Sequence, residues 1–153
     1  MGKQKGYIAA ALMVCGTIST VAIAATTAEI ITTRQAHFKN IAKANKAIAD
    51  ELKKPSPSMA IIRNNAGAIT AAGDRAFRAF PAGSGPEAGV KTEALPAIWQ
   101  RSADFRTLSA RMLAASRALG TAAGQGNADQ VRAASTALGQ SCKNCHSSFR
   151  ARK

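Results

Sequence analysis

Residues 127–150 read NADQVRAASTALGQSCKNCHSSFR. Val131, Ala134, Leu138, Cys142, Cys145 and Phe149 recur at intervals of three and four, so one apolar stripe runs along a single helix. Asn127 can cap its start through the side-chain oxygen. A helix with one such stripe buries it against other elements, which calls for helices of similar length upstream. The stripe also carries Cys142-Lys143-Asn144-Cys145-His146, two thiols and an imidazole on one face.

Partners of that length are present. A first helix is expected from about Ala28 to Leu52, with Ile31, Arg34, Phe38, Ile41, Asn45, Ile48 and Leu52 along its seam. Lys53 and Lys54 suit the negative end of its dipole, and Pro55 and Pro57 stop it. Ser58 can cap a second helix that carries Met59, Ile62, Ala66, Ile69 and Phe77. Residues 80–96, FPAGSGPEAGVKTEALP, are rich in Gly and Pro without helical periodicity and read as a long connection. A third helix is expected from about Ala97 to Ala122, with Ile98, Phe105, Leu108, Met112, Ala115 and Leu119 inward, broken by the loop TAAGQGN. Four such helices with two short connections and one long one give an all-α, antiparallel four-helix bundle.

Composition narrows the function. Aromatic residues are 5% of the 153 and strand-like runs are missing, which disfavours an all-β fold. Neither G-x-G-x-x-G nor G-x-x-x-x-G-K-[ST] occurs, so nucleotide chemistry of those kinds is unsupported. Two His and eight acidic residues are a poor stock for acid–base hydrolysis.

The first residues read as an address. Lys3 and Lys5 precede an uncharged stretch from Tyr7 to Ala24 that ends in Ala22-Ile23-Ala24, a small-x-small site for signal-peptidase cleavage. A retained anchor is the rival reading, but about 18 residues is short for a bilayer, and Gly16, Thr17, Ser19 and Thr20 dilute the stretch. Lipidation at Cys15 is disfavoured by Val14 before it. The expectation is a signal peptide over residues 1–24, a mature domain over residues 25–153, a periplasmic location and no stable membrane insertion. Cleavage removes Cys15 and leaves Cys142 and Cys145, whose short spacing would give a disulfide little stabilising effect.

C-x-x-C-H is the sequence of c-type haem attachment: the thiols add to the vinyl groups and the adjacent His ligates the iron. A thioredoxin-like pair would need a βαβ setting, and a structural zinc would need four ligands where the mature chain has two Cys and the distant His37 and His146. Heme c is therefore the expected cofactor, with His146 on the metal.

Taken together, the motif near the C-terminus, Arg34-Gln35-x-x-Phe38 in the first helix, Pro96-x-Ile98-Trp99 after the long connection, and Ser141–Arg150 resemble the cytochrome c′ (class II cytochrome c) family over essentially the whole mature chain. The resemblance implies that Arg34 and Gln35 lie near the haem edge, that Phe38 faces the distal iron, and that Arg150 stands on the proximal side. A haem propionate would satisfy Arg34, a charge otherwise unusual on an inner seam. Relatives of the c-556 type have Met at the distal position. Phe38 cannot ligate, so the resemblance implies five-coordinate, high-spin iron with small gas ligands, NO or CO, entering past Phe38. The low-spin six-coordinate carrier is the alternative, with His37, Met59 or Met112 as sixth ligand, although helical spacing already explains both methionines as core. Trp99 reads as a packing anchor.

Losing Lys3 and Lys5 with the leader takes the net charge from +13 to +11, which points to acidic redox partner proteins rather than nucleic acid, since no recognition motif and few aromatic residues are present. The expected function is single-electron transfer with gas binding, not an enzyme. A weak haem peroxidase or NO-converting enzyme is the remaining class, and it would need a distal base. A homodimer is also implied by the resemblance, with apolar positions such as Ile30 as its only other hint.

Overall fold

The computed structural model describes residues 25–152, so the expected leader over residues 1–24 lies outside the described residues. Helix α1 spans Thr27–Glu51. Thr26 starts it with a capping box: its Oγ accepts from the Glu29 amide, while the Glu29 carboxylate accepts from the Thr26 amide at 2.7 Å. At the other end Glu51 is buried and accepts from the Ser58 amide at 2.7 Å and from Lys54 Nζ at 2.6 Å, which closes the proline-rich turn. Helix α2 spans Met59–Arg78 with Ser58 as its cap, as the spacing predicts.

The long connection holds one short 3-10 turn, Pro86–Ala88. The expected third helix is two pieces, α3 over Ala97–Gln100 and α4 over Ser102–Gln125. Arg101 separates them with φ −120° and ψ 50°. Ile98 before this break and Phe105 after it belong to one cluster with Phe149. The helix also runs past Ala122, because Ala122 and Ala123 are both buried in the core. It stops at Gly126, whose φ of 76° is left-handed and therefore suits glycine. Helix α5 spans Ala128–Phe149, and Asn127 Oδ1 accepts from the Asp129 and Gln130 amides.

The four long helices make the antiparallel bundle, in which α1 packs on α2, α2 on α4 and α4 on α5. Small residues set the α2–α4 approach: a Cβ on Gly73 would lie 2.9 Å from Leu113 Cδ2 and 3.1 Å from Met112 Cε. No comparable backbone approach joins α1 to α5 among the described residues, which leaves that seam looser than the other three between neighbouring helices. The larger core cluster gathers Ile41, Ile48, Ile62, Ile69, Leu119 and Leu138, and Met59 and Met112 pack with it. A smaller one gathers Ile98, Phe105 and Phe149. On α1, Ala44 and Glu51 are buried where the seam was read through Asn45 and Leu52, both only half-buried. Ile30 is half-buried, while Ile61 on α2 is 43% exposed. Among the described residues no helix is long and apolar enough to cross a membrane.

Candidate haem-attachment site

The C-x-x-C-H turn occupies the last third of α5, where the helical spacing points the two thiols inward. Cys142 packs against the larger cluster and Cys145 against the smaller one, so the pair spans the boundary between them. Both cysteines are free thiols. Burial pushes the Cys142 thiol up, and burial together with the nearby Cys142 pushes Cys145 up to about 11. Both therefore stay protonated near neutral pH.

His146 is exposed. It stands on the heptad of Arg132 and Gly139, and Arg132 Nη1 donates to the Leu52 carbonyl of α1 at 2.7 Å, which marks this flank of α5 as the one turned toward α1. A Cβ on Gly139 would meet nothing within 4 Å, so there is space on that flank. Partial burial lowers the His146 pKa, Arg150 adds to the effect and Glu93 opposes it. A neutral imidazole with a free lone pair results, the form that ligates a metal.

These features fit a haem. The loose α1–α5 seam and the open space beside Gly139 leave room for a planar group, and two free thiols lie one turn apart with an imidazole at the position after the second. Among the described residues no three His, Cys, Asp or Glu side chains converge on a shared metal position.

On α1, Phe38 packs edge-on against Phe77 and Phe80, with ring centroids at 5.8 and 6.3 Å. His37 is one position round the helix, on the heptad of buried Ala44 and Glu51, and Glu51 meets the start of α2. Arg34 is 2% exposed and already satisfied by the chain. It donates to the Ala79 carbonyl, to Ser84 Oγ and O, and to Thr92 Oγ1 at 3.0–3.2 Å, and its guanidinium lies over the Phe80 ring. The long connection thus supplies hydrogen-bond partners for this buried charge. Burial lowers the Arg34 pKa. Gln35 Nε2 donates to the Lys91 carbonyl at 2.8 Å. Trp99 Nε1 donates to the Phe80 and Pro81 carbonyls, and its ring packs on Phe80, as an anchor should.

Arg150 sits one turn after His146, and its guanidinium is held by Glu93 at 2.6 Å. Glu93, Ser84 and Thr92 escaped the sequence reading because they lie in a segment without periodicity. The available signal was the scarcity of acids in a chain of charge +13, which makes each carboxylate a candidate partner for a cation.

A helical bundle with this turn on its last helix is the architecture of a class II c-type cytochrome. The family profile described as Cytochrome C′ matches residues 29–150, and the chain belongs to that family. A cytochrome c′ of Pararhodospirillum photometricum is 36% identical over 106 residues, covering 69% of this chain and 82% of that one. The crystal structure of cytochrome c′ from Thermochromatium tepidum superposes with a TM-score of 0.77 at 28% identity, covering 84% of this chain and 98% of that one. A ferrous variant of cytochrome c prime from Alcaligenes xylosoxidans with bound NO gives a TM-score of 0.76 at 25% identity, over 86% and 100%.

Proposed function

We propose that the chain is an exported, single-electron haem protein with His146 as the one protein ligand to iron and an apolar distal side formed by Phe38, open to NO or CO. The carrying observation is Phe38 itself, a side chain with only carbon atoms, packed edge-on against Phe77 and Phe80 from α1. Such a ring offers no lone pair to iron and no hydrogen bond to a water there, so a neutral diatomic meets the least opposition. When bound, the haem supplies a one-electron ferric/ferrous couple and a coordination position for such a ligand. The NO-bound state of the Alcaligenes xylosoxidans relative supports the gas-binding half of this reading.

Cys142 and Cys145 hold the group through two thioether bonds, and His146 orients its imidazole from the same turn. The positive charge steers encounters with acidic redox partner proteins, an effect that weakens as salt rises. Carrier rather than catalyst is the reading that a distal side without a base favours. Residues 1–24 act as a cleaved signal peptide that delivers the chain to the periplasm, where the cysteines can be loaded.

Attachment is tested by denaturing the protein purified from cells competent for cytochrome c maturation and reading haem absorbance in the polypeptide band. The wild type retains it, and a C142A/C145A variant does not. Haem released from the wild type by denaturation alone contradicts covalent attachment. The amino terminus of the periplasmic protein is expected at Ala25.

A further inference from the structure

The long connection does more than join two helices. Residues 93–95 pair with residues 149–151 as a short antiparallel bridge, with the Leu95 amide donating to the Phe149 carbonyl at 3.1 Å and the Ala151 amide to the Glu93 carbonyl at 2.8 Å. The side chain of Glu93 adds to this pairing: its Oε2 accepts from both Nε and Nη2 of Arg150, each at 2.6 Å. The two preceding residues hold α1, since Thr92 Oγ1 accepts from Arg34 and the Lys91 carbonyl from Gln35. Three consecutive residues, Lys91, Thr92 and Glu93, therefore grip three side chains that the sequence marks as belonging to the site, two on the Phe38 helix and one just after His146.

Stability alone is a weak reason for the Glu93–Arg150 contact. Both side chains are more than two-fifths exposed, and ion pairs that wet contribute little. Position is the better reason. Arg150 leaves α5 in an extended conformation, φ −122° and ψ 133°, and its amide still donates to the His146 carbonyl at 3.2 Å. Its guanidinium is long and mobile unless tied, and it is the cation next along the chain from the metal ligand. Glu93 is the tie.

The geometry points to Glu93 as a positioning residue for the His146 side of the haem: it fixes where Arg150 places its charge and offsets that charge. This rests on the haem reading above. Loosening the tie in Glu93→Gln lets the guanidinium move and leaves its charge unopposed. A less compensated cation near iron favours the ferrous state, so the midpoint potential rises.

Two readouts test this, one of them independent of haem. The first is limited trypsin digestion followed by mass spectrometry. Cleavage after Arg150 is expected to be several-fold faster in Glu93→Gln than in the wild type, while cleavage after Arg152 serves as the internal control and is unchanged. The second is potentiometry of Glu93→Gln, Arg150→Gln and the double variant. The upward shift produced by Glu93→Gln is expected to shrink severalfold in the Arg150→Gln background, because Glu93 acts through Arg150. An unchanged rate of cleavage after Arg150 overturns the proposal, and so does a Glu93→Gln shift that is the same with and without Arg150. Failure of the underlying reading is distinct: it appears as absent haem in the wild type, whereas failure of this inference appears with haem bound.

Discussion

Arg34 and Ser84 meet twice: Nη1 of the buried guanidinium donates to Ser84 Oγ at 3.1 Å and Nη2 to the Ser84 carbonyl at 3.0 Å. Ser84 is itself fully buried and donates from Oγ to the Pro81 carbonyl at 2.8 Å. The pair locks α1 to the long connection. Removing the guanidinium strands several buried acceptors, so Arg34→Ala is expected to lose about 3 kcal/mol. That corresponds to a fall of about 10 °C in Tm for a domain of this size. Arg34→Lys keeps the charge without the fork and falls in between. Thermal unfolding followed by far-UV circular dichroism measures this, and a Tm within 2 °C or so of wild type for Arg34→Ala would contradict the lock.

Glu51 gives acid sensitivity a specific address. Hydrogen bonds from Lys54 and then from the Ser58 amide hold its carboxyl below the usual value of 4.5. A depressed native value means the carboxylate stabilises the fold fully above about pH 4.5, and that contribution is lost as pH falls through the native value. Urea unfolding of wild type and Glu51→Gln is therefore expected to differ at pH 7 and to converge in acid. A difference that grows on acidification would show the opposite linkage.

Much of this architecture is written in the spacing. Three-and-four recurrence predicts α1, α2 and α5 within a residue or two at each end, because their apolar stripes face neighbours over many turns. Ser58 and Asn127 are legible as caps since a single local hydrogen bond decides each one. The break at Arg101 is not legible: no Gly or Pro marks it, and the Phe149 ring over which its guanidinium lies is nearly fifty residues away. Arg34 could be marked as anomalous on a seam, yet its partners lie in the connection that periodicity cannot read. Glu93 was missed for the same reason. C-x-x-C-H points to one chemistry for Cys142, Cys145 and His146 because three residues of two types at one spacing leave few alternatives, whereas the flank on which His146 sits needed the Arg132 contact to α1.

His37 separates a carrier from a peroxidase. His37 shares a heptad with the buried Ala44 and Glu51, and the carrier reading gives it no part in cleaving a peroxide O–O bond. Peroxide-dependent dye oxidation is expected to be slow and equal in wild type and His37→Gln. A rate that collapses at least tenfold in the variant would make His37 a distal base.

Phe38→Met converts the distal side chain into a thioether within the same packing of Phe77 and Phe80. Sulfur can then ligate, so the reduced variant is expected to show sharp low-spin α and β bands and much weaker CO binding. Unaltered high-spin bands in Phe38→Met would mean that position 38 does not face the iron.

The open iron site is the claim on which the rest depends, and the optical spectrum of the purified mature protein tests it most directly. Ferric and dithionite-reduced samples are recorded with and without NO. The account predicts broad high-spin ferrous absorption that changes sharply when NO is added. Sharp low-spin α and β bands before any ligand is added would contradict it, placing a second protein ligand on the iron in the native state.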